Sequence, residues 1–324
     1  MSITALTASG QQIRSLNKSP RLFLNVITWE FRRFFASRLF WFQAFGLFGF
    51  LLLLTWALHS PENIDAIPVG NGGGGGVSLS GSVAGTSAGG LLYTLPTVLT
   101  VLVLLLPFVT ADGVTRDLQR RTHELLMTTP LPTWAYVWGR YLAGLVISLG
   151  LALLLLVSLL GMGGLLHLTI AEYPAPEIGT VLLLWTGMVL SATILVSSFG
   201  FALSTLLPRL STLSKAVVMV AWLVGALVIP LSLHGHSALP PPSWYVNWDP
   251  TSGITARGLL SAYAINPNPT TTNETQFQQL ILSVENKVPD LAGWFAPHLL
   301  LAALSLLLVL IAALAFKRSR DVLS

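Results

Sequence analysis

The sequence predicts an all-α fold: a polytopic membrane protein with six transmembrane helices, both termini in the cytoplasm, and an amphipathic interfacial helix ahead of the first span. One observation is a scarcity of charge, because only 9% of the 324 residues are Asp, Glu, Lys or Arg, against about 25% in soluble proteins. Another is that 53% of the residues are hydrophobic, which is more apolar surface than one globular core can hide. The absence of cysteine excludes disulfides, thiolate metal sites and a cysteine nucleophile.

Six apolar segments are long enough to cross a bilayer, which takes about 20 residues of helix. They run approximately over Leu39–Leu58, Leu91–Thr110, Tyr141–Leu166, Ile178–Leu207, Ala216–Leu233 and Trp294–Phe316. None of them contains Asp, Glu, Lys or Arg, so a proton-coupled or sodium-coupled mechanism has little machinery within the spans. The fourth segment is longer than a bilayer requires and contains several Ser and Thr residues, which predicts that it tilts, bends or protrudes.

Basic residues lie almost entirely on one side of the membrane if the chain crosses it an even number of times. Of the 17 Lys and Arg residues, all except Arg257 and Lys287 fall in segments on that side. The positive-inside rule assigns this side to the cytoplasm, which places both termini there and predicts a multi-pass protein of the cell membrane. Residues 1–38 contain no short apolar core that ends at a small-residue cleavage site, so we expect the first span to direct insertion.

The segment 21–38 is predicted to form an amphipathic helix on the inner leaflet. Six apolar side chains fall within an arc of about 120° on a helical wheel, namely Phe23, Leu24, Ile27, Phe31, Phe34 and Phe35. Arg21, Asn25, Thr28 and Arg32 cluster on the opposite side. Two roles stay open for this helix: a simple membrane anchor, or an elbow that touches a cytoplasmic partner. Its candidate contact residues are Phe23, Ile27, Phe31, Arg32, Arg33 and Phe34.

Two long loops are expected outside the cell, at 59–90 and 234–293. The first contains the run Gly72–Gly76 and is typical of a flexible linker, since the lysine that a phosphate-binding P-loop needs is missing. The second combines three prolines, Pro240–Pro242, with nearby tryptophans and a tyrosine. This composition indicates an interfacial aromatic belt or short helices that dip into the outer leaflet.

Motifs for metal chemistry are incomplete. His123 and Glu124 begin the zinc-protease pattern H-E-x-x-H, but Met127 stands where the second histidine would be. His234 and His236 are two possible ligands without a nearby carboxylate or thiolate, which makes a weak site. We therefore assign no catalytic, cofactor or metal site to this chain and expect that it is not an enzyme.

The segment between the second and third spans carries the densest charge outside the amino-terminal segment. Residues from Asp112 to Met127 favour a short helix with alternating charge, and a Thr/Pro turn follows it. Asp117 and Arg121 form an acid-before-base pair at i,i+4, which supports such a helix. By itself this is a solvated helix; it stands out because the chain has so little charge elsewhere.

This segment resembles the hallmark region of the type-2 ABC transporter permeases, in which a charged run precedes Thr-x-Glu-Leu-Leu, a hydrophobic residue and Ser/Thr-x-Pro. The matching residues are Thr122–Pro130, followed by Gly139 and Arg140 where the family often has Gly-Lys. Gln119–Arg121 depart from the Glu-Arg-Gly that commonly precedes the Thr. The resemblance implies a coupling helix seated in a groove of an ATPase. The implied contact residues are Arg116, Arg120, Arg121, Thr122, Glu124, Leu125, Leu126, Thr128 and Pro130.

The resemblance implies the permease subunit of an ABC transporter, of exporter type, that moves a substrate by coupling to separate cytoplasmic ATPases. Its implied partners are ABC ATPase subunits, a second permease subunit and membrane lipids, with no nucleic acid; ATP and Mg would bind to the ATPase. The alternative is an ABC-like scaffold or sensor with a signalling or envelope-maintenance role. The expected organisation is an amino-terminal segment 1–38, a permease domain 39–316 with a coupling loop at 111–139, and a cytoplasmic tail 317–324.

Overall fold

The computed structural model describes residues 23–57, 66–69, 76–79, 86–111, 132–170, 173–234, 243–260 and 287–323. Helices dominate these segments, which confirms the predicted all-α class. In chain order they are α1 (23–35), α2 (Arg38–Ala57), α3 (Ala88–Thr110), α4 (Thr133–Thr169), α5 (Ile178–Leu206), α6 (Pro208–Val228, continued by Ile229–His234), α7 (Ser243–Trp248), α8 (Gly253–Leu260) and α9 (Ala292–Leu323). A small antiparallel hairpin pairs β1 (Ala66–Val69) with β2 (Gly76–Leu79), inside the segment predicted to be a flexible linker.

Within the described residues, six helices are long and apolar enough to cross a membrane, namely α2 to α6 and α9. The predicted number of spans is therefore confirmed. The largest differences in boundaries are at the starts of α4 and α6. α4 has 37 residues and starts at Thr133, two turns before the predicted Tyr141, and α6 starts at Pro208, equally far before the predicted Ala216. Pro132 precedes the start of α4 in an extended conformation, and it has no backbone N–H that would need a partner there. The early start brings Arg140 into the third helix.

Contacts between helix ends define two ends of the bundle. At the first, which we call the basic end, the starts of α2, α4 and α6 meet the ends of α3, α5 and α9. There the ring of Tyr136 in α4 stacks on Phe316 of α9, and the Lys215 ammonium of α6 lies 5.4 Å from the ring centre of Phe108 in α3. At the opposite end, α7 and α8 pack against α6 and α9.

α3 lies at the centre of the bundle, whereas α2, α6 and α9 lie at its periphery. In the chain alone 61% of the apolar stretch of α3 is buried, against 17% for α9. The buried face of α3 contacts α4, α5, α6 and α8. The peripheral helices leave large side chains such as Phe42 and Leu299 exposed, and a surface of this kind is stable against lipid or an apolar partner.

Two spans contain π-helical segments, Trp185–Leu190 in α5 and Val224–Val228 in α6. Beside the first, the indole Nε1–H of Trp185 donates a hydrogen bond of 2.8 Å to the Ala152 carbonyl of α4. Several hydroxyl groups of α5 donate to carbonyls of the preceding turn of the same helix, so their hydrogen bonds are satisfied locally. These residues are Ser191, Thr193, Ser198, Ser204 and Thr205.

Ser87 marks the beginning of α3. Its Oγ accepts a hydrogen bond of 3.0 Å from the Gly90 N–H, which satisfies one of the donors that a helix start leaves without an intrahelical partner. This serine is the centre of the string Gly85–Gly89, which matches the serine-hydrolase pattern G-x-S-x-G. Because Ser87 is buried and caps a helix, its role in this fold is structural.

Candidate functional site at the basic end

α1 has two different faces. Asn25, Thr28 and Arg32 are exposed, as expected for the polar side of the predicted amphipathic helix. Phe31 and Phe34 pack against the apolar core of the bundle. The helix therefore contacts other helices as well as any surrounding lipid.

Glu30 of α1 is buried with only 1% of its surface exposed. Its Oε1 accepts a hydrogen bond of 2.8 Å from the Arg140 Nη1–H of α4, and the two side chains are each 2% exposed. Its Oε2 lies 3.0 Å from Nη2 of Arg33, on the same helix. One carboxylate thus joins α1 to α4 in a region that solvent does not reach.

Aromatic rings surround the Arg140 guanidinium. Its central carbon lies 5.0 Å from the ring centre of Trp29 in α1 and 4.9 Å from that of Tyr136 in α4. Cations are attracted to aromatic faces, and the attraction is stronger where water is excluded. Arg140 is consequently bound to α1 through two consecutive residues, Trp29 and Glu30.

Two apolar contacts extend this region. The Phe23 ring of α1 stacks on Trp134 of α4 at a centroid distance of 5.8 Å. Gly139 of α4 faces Val26, because a Cβ atom placed on Gly139 would lie 2.9 Å from Val26 Cγ1. We call this whole region the α1–α4 junction; its residues are Phe23, Val26, Trp29, Glu30, Arg33, Trp134, Tyr136, Gly139 and Arg140.

The ion pair of the junction orients the two helices more than it stabilises them. Removing two charges from water costs free energy that their attraction only partly returns, so a buried pair adds little net stability compared with apolar packing. Removing one partner is different, since it leaves the other charge buried and typically costs about 3–5 kcal/mol. The junction therefore disfavours every arrangement in which Glu30 and Arg140 separate.

The end of α3 and the start of α4, which flank the predicted coupling segment, both contact neighbouring helices. Thr110, at the end of α3, lies between two glycines: its Cγ2 is 3.4 Å from a Cβ placed on Gly144 of α4, and its Oγ1 is 3.5 Å from one placed on Gly200 of α5. On the other side, α4 enters the junction within two turns of Thr133. The segment 112–131 lies outside the described residues, and so do its predicted contact residues, Arg116, Arg120, Arg121, Thr122, Glu124, Leu125, Leu126, Thr128 and Pro130.

The helical wheel of α1 contained a signal for Glu30. This glutamate follows Phe23 by seven residues, or nearly two turns, so it lies about 20° from Phe23, at the border of the Phe-rich side. An acidic residue on an apolar face needs a partner. The partner, Arg140, is distant in sequence, and no local pattern connects the two. Among the predicted α1 residues, Phe23 and Arg33 belong to the junction, Phe31 and Phe34 contact the core, Ile27 is half-buried and Arg32 is exposed.

At the opposite end, Asp249 organises the turn between α7 and α8. Its Oδ1 accepts hydrogen bonds from the N–H and hydroxyl of Thr251, at 3.0 and 2.6 Å. Its Oδ2 accepts from the N–H groups of Ile254 and Thr255, at 2.7 and 3.3 Å. The carboxylate thus caps α8. We call residues Ser243–Leu260 the α7–α8 hairpin.

The α7–α8 hairpin is held against the spans by close contacts. Nε2 of His298 in α9 lies 3.0 Å from the Asp249 carbonyl oxygen. A Cβ atom on Gly253 would lie 2.7 Å from the Ala226 carbonyl of α6, and one on Gly225 would lie 2.8 Å from Thr251 Cγ2. Short helices are thus present in the described part of this loop, residues 243–260.

In comparisons with known proteins, no family model and no curated protein matches this chain.

Proposed function

We propose that this chain is the permease subunit of an ABC transporter of exporter type, working with two cytoplasmic ATPase subunits and a second permease subunit. The observation that carries the proposal is the segment 112–131. It contains the Thr122–Pro130 string, it joins the second span to the third, and the helices on either side of it contact their neighbours through Thr110 and Arg140. A bundle of six spans preceded by α1 supports the same assignment.

The basic end is then the cytoplasmic end. Arg140, Arg209 and Lys215 belong to it, and the positive-inside rule favours the cytoplasm for such residues. The protein would lie in the cell membrane with both termini inside, and the α7–α8 hairpin would face the exterior.

The proposed mechanism is mechanical. Closure of the ATPases on ATP would push on segment 112–131, and the push would reach α3 and α4 together because they meet at Thr110 and Gly144. Helices are rigid enough to carry such a displacement from one end of the bundle to the other. The chain itself needs no ATP site for this role. Away from the basic end the spans contain no Asp, Glu, Lys or Arg, which suits lipids, hydrophobic compounds or lipid-linked glycans as cargo.

Affinity purification of the full chain from its native membrane tests the proposal. We expect an ABC ATPase to co-purify and to hydrolyse ATP in the complex. The variant R120E/R121E should lose ATPase association while its insertion stays normal. The matched control R318E/R320E reverses the charge of two arginines in the predicted cytoplasmic tail, residues 317–324. This variant should keep its association with the ATPase. Full association and hydrolysis by R120E/R121E would overturn the coupling role of this segment.

Reconstitution separates transport from the alternative role of an ABC-like scaffold. In liposomes that contain a fluorescent phospholipid analogue, an exporter of lipid-like cargo moves the probe between leaflets when ATP is supplied. A complex that hydrolyses ATP at a rate that no lipid or hydrophobic compound changes, and that moves none of them, would favour the scaffold.

A further inference from the structure

α1 meets the beginning of α4 along one side. Phe23, Val26 and Glu30 are spaced by three and four residues, so they lie on a single face of α1. Each contacts a residue in the first two turns of α4: Phe23 stacks on Trp134, Val26 touches Gly139, and Glu30 binds Arg140. These contacts make α1 part of the helical bundle.

We propose that the Glu30–Arg140 ion pair is a positioning contact that makes α1 and the first turns of α4 move as one body when segment 112–131 is displaced. This inference rests on the proposed function, because the displacement comes from the ATPases. α1 is then a lever arm fixed to the third span, and the displacement reaches the leaflet surface as well as the bundle.

Burial of the pair gives it this role. A helix that merely rests on lipid keeps its carboxylates among the headgroups, where they stay hydrated. Glu30 instead faces α4 and is almost fully buried. If α1 slid or rotated on α4 by one residue, Glu30 would keep Arg33 of its own helix, but the buried Arg140 would lose its carboxylate. Apolar contacts alone would tolerate such a slip at much lower cost.

The pair also lies close to the place where α3 ends. Arg140 comes one turn before Gly144, and Gly144 touches Thr110 at the last residue of α3. The two helices that leave segment 112–131 and the helix α1 therefore meet within two turns of α4. A displacement of the segment cannot move the base of α4 without moving α1, as long as the ion pair holds.

The chain contains no cysteine, so a disulfide can be introduced without removing native thiols. Val26 and Gly139 are the suitable pair, since a Cβ on Gly139 lies 3.1 Å from Val26 Cβ. A small outward shift of α1 brings these atoms to the separation of about 3.5–4.5 Å that a disulfide needs. We expect V26C/G139C to cross-link readily in membranes. The control T28C/G139C should not, because Thr28 lies on the exposed side of α1.

ATP hydrolysis by the purified complex then tests whether the two helices move together. We expect V26C/G139C to hydrolyse ATP at the same rate in the oxidised and the reduced state, since a bond between parts of one body changes nothing. A loss of activity on oxidation that a reductant restores would show that α1 and α4 separate during the cycle, and it would overturn the proposal.

Neutral variants test the ion pair itself. In the V26C/G139C chain, E30Q leaves the Arg140 charge without its carboxylate, and we expect disulfide formation to slow by at least about tenfold. The ATPase rate of the complex should fall while the amount of co-purified ATPase stays the same. E30Q/R140Q removes both charges and should recover part of both properties. Cross-linking as fast in E30Q as in the parent would overturn the positioning role.

The failures of the two proposals can be told apart. If the unmodified chain binds no ATPase, the proposed function and the coupling role fall together, whatever the disulfide does. If the unmodified complex hydrolyses ATP and only the oxidised V26C/G139C complex stops, the permease assignment stands and the positioning role falls.

The variant R140K keeps the positive charge but loses the planar fork of the guanidinium. In the V26C/G139C chain, its cross-linking rate should lie between those of the parent and E30Q.

Discussion

The α1–α4 junction and the α7–α8 hairpin both fasten a short helical element to the spans, but they use different chemistry. In the junction, side chains of opposite charge meet, and aromatic rings surround the arginine. In the hairpin, the Asp249 carboxylate binds backbone N–H groups of its own turn, and glycines allow that turn to touch the backbone of α6. One attachment depends on charge and the other on the absence of side-chain volume.

This difference determines what each region tolerates. An ion pair accommodates small changes in distance but not the loss of a partner. A backbone contact accommodates changes of charge nearby but not an added methyl group. Substitutions that add volume should therefore act mainly at the opposite end. The loss of a buried carboxylate should matter at both ends, because Glu30 holds an arginine of another helix and Asp249 holds the backbone of its own turn.

Glu30→Ala should have the largest effect on the basic end. It leaves Arg140 buried without its carboxylate, so we expect the free energy of unfolding to fall by about 3–5 kcal/mol. Thermal unfolding of the detergent-solubilised protein measures the loss. Arg32→Ala is the matched control on the exposed side of α1 and should change stability by less than about 0.5 kcal/mol. An equal effect of the two substitutions would contradict the ion-pair geometry.

Asp249→Ala should have the largest effect on the opposite end. It deprives the Ile254 and Thr255 N–H groups of their acceptor, and with the loss of the helix cap we expect about 2–3 kcal/mol of destabilisation. Asp290→Ala removes a comparable but exposed acceptor, of the Ala292 N–H, and should cost about 0.5–1 kcal/mol. Equilibrium unfolding in mixed detergent compares the two. A larger loss of stability for Asp290→Ala than for Asp249→Ala would contradict the assignment of Asp249 as the residue that holds the α7–α8 hairpin.

Glycine-to-alanine substitutions, which add one methyl group, should destabilise the opposite end more than the basic end. In Gly253→Ala the new Cβ would contact the Ala226 carbonyl, which belongs to the backbone and cannot rotate away. We therefore expect the free energy of unfolding to fall by about 1–3 kcal/mol. Gly139→Ala meets the Val26 side chain, which can shift, and should cost less than about 1 kcal/mol.

Two controls accompany these glycine variants. Val26→Ala should relieve Gly139→Ala in the double variant, because it removes the atom that the new Cβ meets. Gly150→Ala, with nothing within 4 Å of the added Cβ, should leave the melting temperature unchanged or slightly higher. If Gly139→Ala proved more harmful than Gly253→Ala, the assigned contrast between the two ends would be wrong.

Tyr141→Phe should have the smallest effect on the free energy of unfolding. It shows what the loss of a neutral hydrogen bond between two spans costs, against which the substitutions at the two ends can be compared. The Tyr141 hydroxyl shares a hydrogen bond of 2.7 Å with Ser198 of α5, and Ser198 keeps a second bond to the Ile194 carbonyl. A neutral bond between membrane helices typically contributes about 0.6 kcal/mol. Unfolding measurements should therefore detect a shift near the limit of resolution; a loss as large as that of Glu30→Ala would mean that charge is not what distinguishes the junction.

Periodic features of the fold were predictable from sequence, because they depend on neighbouring residues. Apolar segments of sufficient length predicted the six spans, and the two-sided composition of 21–38 predicted α1. The start of α4 at Thr133 was missed because Trp134–Arg140 is less apolar than the residues that follow, although Pro132 is a typical residue at a helix start.

Contacts between distant segments were not predictable in the same way. Glu30 is unusual on its own helix, but only the packing of α1 on α4 identifies Arg140 as its partner. Asp249 and His298 are likewise separated along the chain, and their contact depends on how the hairpin folds back onto α9. For the predicted coupling residues in segment 112–131, the assignment stays a prediction from the motif.

The π-helical segments of α5 and α6 change the direction in which the side chains beyond them point. Each wide turn holds one residue more than a regular turn, so the helix beyond it is rotated by about 100° relative to an uninterrupted α-helix. Both wide turns carry a glycine where another element comes close: Gly187 faces Trp294, and Gly225 faces Thr251. A single wheel drawn through either span misplaces the side chains on one side of the wide turn. Deleting one residue from Trp185–Leu190 would rotate Ile178–Leu184 relative to Ser191–Leu206.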